Sequence, residues 1–251
     1  MRIALVNQKG GVGKSTTAVN LGACLAEIGQ KVLLIDLDPQ ANATSGVGCR
    51  REDRTNCIYN VLVDDEPIES VIEQTQVNNL SLVPATTQLA GAEIELVSRI
   101  SRESQLRNAI AGVVPKYDYI LIDCPPSLGL LTVNALTAVD KLIIPIQCEY
   151  YALEGLSQLV ESVRLIKRHL NTELEIAGVV MTMFDVRTKL SSQVASEVVK
   201  YFSKKVFETV IPRSVRLSEA PSYGLPIISY DSKSKGALAY QSFAKEVIAR
   251  G

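Results

Sequence analysis

Short apolar runs recur along the chain and are separated by stretches with helical periodicity. The nearly continuous apolar runs lie at residues 3–6, 32–35, 80–83, 119–122, 142–146, 176–180 and 206–211. Strands buried on both faces of a parallel sheet have this pattern, and helical crossovers fit between them. The alternation predicts an α/β fold with a doubly wound, mostly parallel sheet and helices on both faces. In the more polar segment 46–79 we expect short helices at one edge of the sheet.

The first apolar run leads directly into a glycine-rich turn. Residues 7–16 read Asn-Gln-Lys-Gly-Gly-Val-Gly-Lys-Ser-Thr, and a helical pattern follows over residues 17–28. Glycines let a backbone wrap closely around an anion, and amide groups at the helix start then point at phosphate oxygens. In such a loop Lys14 reaches the β- and γ-phosphates of a nucleotide, and the Ser15 hydroxyl ligates Mg²⁺. The ending Gly13-Lys14-Ser15 favours this interpretation over a turn that only joins strand to helix.

Two further apolar runs end in carboxylates. Asp36 and Asp38 close the second run in the sequence Asp-Leu-Asp-Pro-Gln, and side chains two residues apart on a strand point to the same face. Asp123 closes the run 119–122 and precedes two prolines, which is typical of a Walker B carboxylate. Beside a phosphate loop, such acids orient water or complete a magnesium shell. We therefore expect Asp123 to hold Mg²⁺ through water.

Composition narrows the class of protein. A chain of 251 residues with 47% hydrophobic content has a sizeable core, and we predict one domain over residues 1–251. No apolar run reaches the roughly 18 residues of a membrane span, and the early first strand leaves no room for a signal peptide, so we expect a cytosolic protein. The 5 cysteines are odd in number and scattered, which argues against a disulfide framework, and none of them is in a C-x-x-C pair. The single histidine, His169, lies in a polar helical stretch without a nucleophile motif.

Charge is distributed unevenly although the formal net charge is only −1. Between residues 164 and 216 there are ten basic and five acidic residues, so the rest of the chain is acidic. A basic surface of this kind can contact duplex phosphates in a non-specific and salt-sensitive way. A solvated face is the alternative interpretation. Because no aromatic ladder accompanies the lysines, stacking on single strands is not expected.

The glycine-rich turn departs from the standard Walker A pattern. Gln8 stands where the first glycine is usual, and Lys9 precedes the glycines. This form resembles the deviant Walker A loop of the ParA/MinD ATPases. The sequences Asp-x-Asp-Pro-Gln, Asp-x-Pro-Pro and Arg-Leu-Ser-Glu-Ala-Pro-Ser are also similar to that family, and the resemblance to its ParA/Soj chromosome-partitioning branch spans essentially the whole chain. It implies a P-loop NTPase fold of SIMIBI type that uses ATP and Mg²⁺.

The resemblance also implies roles for single residues. Lys9 crosses a dimer interface to the partner's nucleotide, and Asp38 orients the attacking water as part of switch I, the segment at residues 36–46. Catalysis is thereby assigned to Lys9, Lys14 and Asp38. The metal is assigned to Ser15, Asp123 and, more distantly, Asp36. Nucleotide binding is assigned to Lys9, Gly10, Gly11, Val12, Gly13, Lys14, Ser15, Thr16, Pro212 and Ser214. Relatives commonly have glycine at Ala41, so we expect a stiffer switch I here.

The implied function is chromosome or plasmid partitioning. An ATP-dependent homodimer binds non-specific double-stranded DNA through Arg187 and Arg216, and a ParB-type centromere-binding partner stimulates the hydrolysis that releases it. The protein would be cytoplasmic and nucleoid-associated, without a membrane partner. The segment Glu149-Tyr150-Tyr151 is a candidate dimer face.

Other functions stay open at this stage. A cargo-positioning ATPase would share every motif, and a DNA-binding regulator could use the same switch. A MinD-like membrane ATPase would need a lipid-binding tail, which the final helix at residues 236–249 does not supply. An iron–sulfur carrier would need a second cysteine with a context matching that of Cys124.

Overall fold

The computed structural model describes residues 1–49, 56–149 and 156–251. Within these residues eight strands form one sheet in the order β3-β4-β2-β5-β1-β6-β7-β8. The strands are β1 (Arg2–Leu5), β2 (Val32–Asp36), β3 (Glu73–Gln74), β4 (Leu80–Val83), β5 (Tyr119–Asp123), β6 (Lys141–Gln147), β7 (Glu175–Phe184) and β8 (Val206–Pro212). All neighbouring strands are parallel except β3, which is antiparallel to β4. The seven predicted strands and the fold class are confirmed.

Helices connect the strands on both faces of the sheet. They are α1 (Lys14–Glu27), α2 (Asn42–Gly46), α3 (Ile58–Val63), α4 (Leu89–Glu95), α5 (Gln105–Ile110), α6 (Leu130–Ala138), α7 (Leu156–His169), α8 (Lys189–Phe202), α9 (Val215–Glu219), α10 (Ile227–Tyr230) and α11 (Lys235–Ala249). Short 3₁₀ turns lie at Ile68–Val71, Leu96–Ser98, Arg102–Ser104, Val114–Lys116, Ser203–Lys205 and Ala220–Tyr223. The described part of segment 46–79 contains the expected short helical pieces and also β3, which the sequence did not predict.

The sheet separates two apolar cores. Ile3 and Leu5 of β1 pack in the core that contains α1 and α11, whereas Ala4 packs in the core that contains α3 to α8. Successive side chains on a strand point to opposite faces, so both sets of positions must be apolar. This is the physical reason for the continuous apolar runs. Among the described residues, no helix is both long and apolar enough to cross a membrane.

Candidate nucleotide-binding site

The glycine-rich turn joins β1 to α1 at the carboxyl edge of the sheet. Gly11 and Gly13 have φ values of 75° and 87°, in the left-handed region that favours glycine. A Cβ atom placed on Gly10 or Gly11 would meet no heavy atom within 4 Å, so this side of the backbone is open. The side chain of Asn7 fixes the base of the turn. Its amide group donates to the Pro145 carbonyl at 2.8 Å, and its Oδ1 atom accepts the backbone amide of Lys9 at 3.0 Å. The turn is shaped to receive an anion.

The two lysines of the turn have different environments. Lys14 is only 6% exposed, and its ammonium donates to the Lys9 carbonyl at 3.2 Å. Burial lowers the pKa of Lys14, while Asp123, Cys124 and Asp38 act in the opposite direction. The Lys9 side chain is half-buried, and its ammonium forms no hydrogen bond or ion pair with any residue that the structure describes. Lys14 is therefore held inside the site, and Lys9 keeps its charge available.

Two buried carboxylates lie side by side at the ends of β2 and β5. Asp36 and Asp123 are register partners on these adjacent strands, and both are fully buried. Burial raises the pKa of Asp36 to about 6, although hydrogen bonds from Thr44 and Asp38 lower it. Burial and the neighbouring Asp36 raise the pKa of Asp123 well above its usual value. Two like charges so close together favour a cation between or beside them.

The residues present fit a magnesium ion. Both carboxylate oxygens of Asp123 are buried and lack a hydrogen bond of ordinary geometry among the described residues, although the Ser15 hydroxyl is near enough to lower the pKa of Asp123. Buried polar atoms are almost always satisfied, and a hard cation is the natural partner for two unsatisfied carboxylate oxygens. Ser15, the second residue of α1, lines the adjoining cavity and offers a hydroxyl. Asp123 and Ser15 thus lie where the sequence predicts a metal-binding pair.

Asp38, in switch I, lines a cavity that also borders the glycine-rich turn. This cavity of about 570 Å³ is also lined by Gly10, Gly11, Gly13, Lys14, Ser15 and Thr16. Asp38 is buried, and one of its carboxylate oxygens accepts the Gln40 amide at 2.9 Å. The structure therefore brings Asp38 to the same cavity as the phosphate-binding turn. Val12, in contrast, is buried beneath the turn.

A second cavity of about 330 Å³ adjoins the first. It is lined by Pro212, the last residue of β8, and by Ser214 just beyond it, together with Thr182 and Met183 near the end of β7. The two cavities share Gly13, Thr16, Met183 and Pro221. A nucleotide with phosphates at the turn can extend its base into this neighbouring space. Pro212 and Ser214 therefore line the cavity next to the glycine-rich turn.

Three supporting contacts were not predicted from the sequence. The Thr182 hydroxyl donates to the Val12 carbonyl at 2.8 Å, which ties β7 to the turn. The Tyr240 hydroxyl lies 3.2 Å from the Thr17 hydroxyl, which ties α11 to the first turn of α1. The Thr44 hydroxyl donates to Asp36 at 2.7 Å. Of these three contacts, only the one from Thr44 had a local indication in the sequence, namely a threonine shortly after Asp-Pro-Gln.

The two predicted DNA-contacting arginines lie at the carboxyl edge. Arg187 follows β7, is 83% exposed and pairs with Asp185 at 2.6 Å. Arg216 lies on α9, is 56% exposed and pairs with Glu219 at 3.1 Å. A groove of about 870 Å³ lies between the segment after β7 and the segment after β8, and its lining includes Arg187, Arg213 and Lys235. The guanidinium of Arg187 lowers the pKa of Asp185.

The basic window does not form one continuous face. Arg164, Lys167 and Lys205 line a different cavity, next to Lys141 and Glu175 at the starts of β6 and β7. This cavity lies at the amino edge of the sheet. Because β7 has 10 residues, roughly 30 Å separates the two edges. The excess charge counted along the sequence is thus divided between opposite ends of the molecule.

The remaining chemical candidates have ordinary environments. His169 is the exposed last residue of α7. Cys124 is fully buried, and burial raises the pKa of its thiol. In the described ranges, no group of three or more histidine, cysteine or acidic side chains is arranged as a metal cluster. In the predicted dimer face, Glu149 is exposed, whereas Tyr150 and Tyr151 lie outside the described residues.

Comparison with known proteins extends the similarity over nearly the whole chain. A family model described as an AAA domain matches residues 1–176. The sporulation initiation inhibitor protein Soj of Bacillus subtilis is 64% identical over 249 residues, covering 99% of this chain and 98% of that protein. The chromosome partitioning protein ParA of Myxococcus xanthus is 53% identical over 248 residues, with 99% and 88% covered. The crystal structure of cobyrinic acid a,c-diamide synthase from Mycobacterium smegmatis, with bound ATP analog and magnesium, is similar with a TM-score of 0.86 and 37% identity, covering 97% of this chain and 92% of that one.

Proposed function

Because this chain belongs to the Soj/ParA family of chromosome-partitioning proteins, we propose that it is an ATPase that switches a DNA-binding dimer on and off. In this proposal residues 1–251 act as one P-loop domain. The observation that carries it is the joint placement of the open glycine turn, Lys14, Ser15 and Asp38 around one cavity, with the buried Asp123 carboxylate close behind Ser15 and Lys14. These groups are the ones that phosphoryl transfer requires.

Nucleotide binding uses the turn and the start of α1. The backbone of Gly10 to Gly13 and the amino end of α1 favour negative charge, and Lys14 adds a buried cation. Asp123 and Ser15 would hold Mg²⁺, which when bound neutralises charge on the terminal phosphates. Pro212 and Ser214 would frame the base. The Mycobacterium smegmatis neighbour was crystallised with an ATP analog and magnesium, which supports the same ligands here.

Hydrolysis uses a small set of side chains. Asp38 orients a water molecule in line with the terminal phosphate, and Lys14 stabilises the charge that develops there. Lys9 reaches across to the nucleotide of a second copy of the chain, so the active arrangement is an ATP-bound homodimer. Support for this role comes from the Lys9 ammonium, which is uncommitted within the described part of the chain.

DNA binding depends on the dimer. One protomer offers few phosphate contacts, whereas two protomers double them on one surface and raise avidity. Arg187 and Arg216 supply these contacts, and they lie at the same edge of the sheet as the nucleotide site. A ParB-type centromere-binding protein would stimulate hydrolysis and so release the dimer from the nucleoid.

The decisive experiment measures binding to a non-specific DNA duplex with ATP, with ADP and without nucleotide, at two salt concentrations. We expect binding only with ATP, and weaker binding at the higher salt concentration. Arg216→Ala should abolish it. Arg164→Ala removes the same charge from an exposed arginine at the amino edge and is the matched control.

Two outcomes would contradict the proposal in different ways. ATP hydrolysis without DNA binding in any nucleotide state would remove the nucleoid from the mechanism and favour a protein scaffold or a membrane. Equal loss of binding in Arg164→Ala and Arg216→Ala would mean that total charge, and not the carboxyl edge, determines DNA affinity.

A further inference from the structure

Asp36 is fully committed to the segment after β2. Its Oδ1 atom accepts the Asp38 amide at 3.1 Å, and its Oδ2 atom accepts both the amide and the hydroxyl of Thr44, each at 2.7 Å. These bonds use three of about four lone-pair sites on the carboxylate. The side chain is completely buried. Asp36 therefore acts on switch I, whereas its neighbour Asp123 has both oxygens available.

Thr44 joins two adjacent strand ends. Its hydroxyl donates to Asp36 at the end of β2 and accepts the amide of Ala85, just beyond the end of β4, at 3.0 Å. Thr44 is the third residue of α2 and has no exposed surface. One hydroxyl thus fastens α2 to the sheet at two points, and both its donor and acceptor capacities are used.

The chain between Asp36 and Thr44 contains Asp38. The Asp38 amide is held by Asp36, and the Asp38 carbonyl accepts the Ala41 amide at 2.8 Å. Ala41 has a left-handed backbone with φ of 53°, which a residue with a Cβ adopts only when its surroundings hold it. The segment is therefore anchored at both ends around a strained residue. This anchoring limits the positions that the Asp38 carboxylate can take.

We infer that Asp36 and Thr44 are a positioning pair that fixes Asp38 toward the terminal phosphate, and that Asp36 is not a ligand of the metal. The inference rests on the proposed ATPase function for its kinetic consequence, but the tether itself does not. It replaces the predicted metal role of Asp36, and it gives a role to Thr44, which the sequence marked only by its place after Asp-Pro-Gln.

The test compares Thr44→Val, which keeps the shape and deletes the hydroxyl, with Thr44→Ser, which keeps the hydroxyl. In Thr44→Val we expect the kcat for ATP hydrolysis to fall by roughly 10- to 100-fold, because small misplacements of catalytic groups have effects of this size. The KM for ATP and the Mg²⁺ concentration for half-maximal activity should stay unchanged. Thr44→Ser should restore most of kcat.

Amide hydrogen exchange of the nucleotide-free protein gives an independent measurement. Thr44→Val should speed exchange across residues 38–46, and Thr44→Ser should exchange like the wild type. Thr137→Val is the matched control, since Thr137 is also buried but its hydroxyl has no partner within the described ranges. This control should leave both kcat and exchange at residues 38–46 unchanged.

Several results would overturn the inference. One is an unchanged kcat in Thr44→Val, with or without a raised KM for ATP. The others are a raised Mg²⁺ requirement in Thr44→Val and a Thr44→Ser variant as slow as Thr44→Val. If the wild type hydrolyses no ATP, the proposed function fails instead. The exchange measurement then still decides whether the hydroxyl holds switch I.

Discussion

Asp36 and Asp123 are register partners on adjacent strands, yet Asp36 accepts three hydrogen bonds, whereas Asp123 has the Ser15 hydroxyl nearby but no hydrogen bond of ordinary geometry from the residues that the structure describes. Two identical side chains at equivalent strand ends thus have different chemistry. The difference arises from the chain beyond each strand, because β2 continues into a segment that folds back over its own end. After β5, Cys124 and two prolines lead the chain away. The unpartnered carboxylate is the one suited to a cation.

Replacing the ionisable carboxyl of Asp123 by a neutral amide should stabilise the metal-free protein. Burial raises the pKa of Asp123, so the folded state keeps its proton at a pH where the unfolded chain has released it. Stability therefore falls as pH rises from the unfolded pKa through the folded pKa. Asp123→Asn should gain about 1–3 kcal/mol in the free energy of unfolding near pH 7.5 and little near pH 4. Urea unfolding with a chelator present measures this.

The same variant should lose ATP hydrolysis, since the amide cannot replace a carboxylate toward Mg²⁺. Asp64→Asn, at an exposed carboxylate, is the control and should change neither stability nor activity. An Asp123→Asn protein that is less stable than the wild type at pH 7.5 would show that the carboxylate has a partner in the metal-free state.

Lys9→Ala should separate nucleotide binding from dimer formation. Lys14 holds its place through the Lys9 carbonyl, which alanine retains, so monomers should still bind ATP. The ATP-dependent dimer should disappear, because the uncommitted ammonium is the group proposed to reach the partner. Size-exclusion chromatography with ATP measures the change, and Lys31→Ala at an exposed site is the control. Normal dimers in Lys9→Ala would exclude the role.

Asp185 should weaken the proposed binding of DNA. It pairs with Arg187 and places a negative charge next to the proposed phosphate contact. Asp185→Asn should tighten ATP-dependent duplex binding by roughly 2- to 5-fold, in line with the value of an exposed ion pair. Arg187→Ala should instead lower the slope of log affinity against log salt by about 1. Weaker binding in Asp185→Asn would mean that the acid orients Arg187.

The bond between Tyr240 and Thr17 should stabilise the whole fold. Both groups are buried, and they join the last helix to the phosphate-binding helix. Tyr240→Phe should lose about 1 kcal/mol of unfolding free energy and weaken ATP binding, because the Thr17 hydroxyl is left without that partner. Tyr223→Phe, at an exposed ring, should have no effect. If the double variant with Thr17→Val loses the sum of the two single losses, the two hydroxyls are not coupled.

Local sequence patterns were enough to predict the strands and the phosphate loop, whereas contacts between residues far apart in the sequence could not be predicted. The strands followed from burial on both faces, and the phosphate loop followed from a short motif. The partnership of Tyr240 with Thr17 spans 223 positions and has no periodicity to reveal it. The division of the basic window was readable in principle, since residues before and after β7 must lie at opposite edges. Charge counting alone ignored the direction of that strand.

Gly48 offers a test of close backbone packing. A Cβ atom on Gly48 would lie 2.9 Å from the Gly224 carbonyl oxygen, and φ at Gly48 is 85°. Gly48→Ala should therefore destabilise the protein by more than about 2 kcal/mol. Gly29 has a φ of 92° and open space around it, so Gly29→Ala isolates the conformational cost alone. Equal losses in the two variants would mean that the contact with Gly224 is easily relieved.

The contact between Gly48 and Gly224 joins the segment after α2 directly to the turn after α9. Gly48 lies two residues after α2, and Gly224 closes the turn that comes after Arg216 and α9. Side chains bend and absorb small movements, but here two main chains touch with no side chain between them. In the proposed mechanism, a shift of the switch segment would therefore be transmitted directly to the turn that follows α9, the helix that carries Arg216. The absence of two Cβ atoms thus leaves a direct main-chain contact between the segment after α2 and the turn after α9.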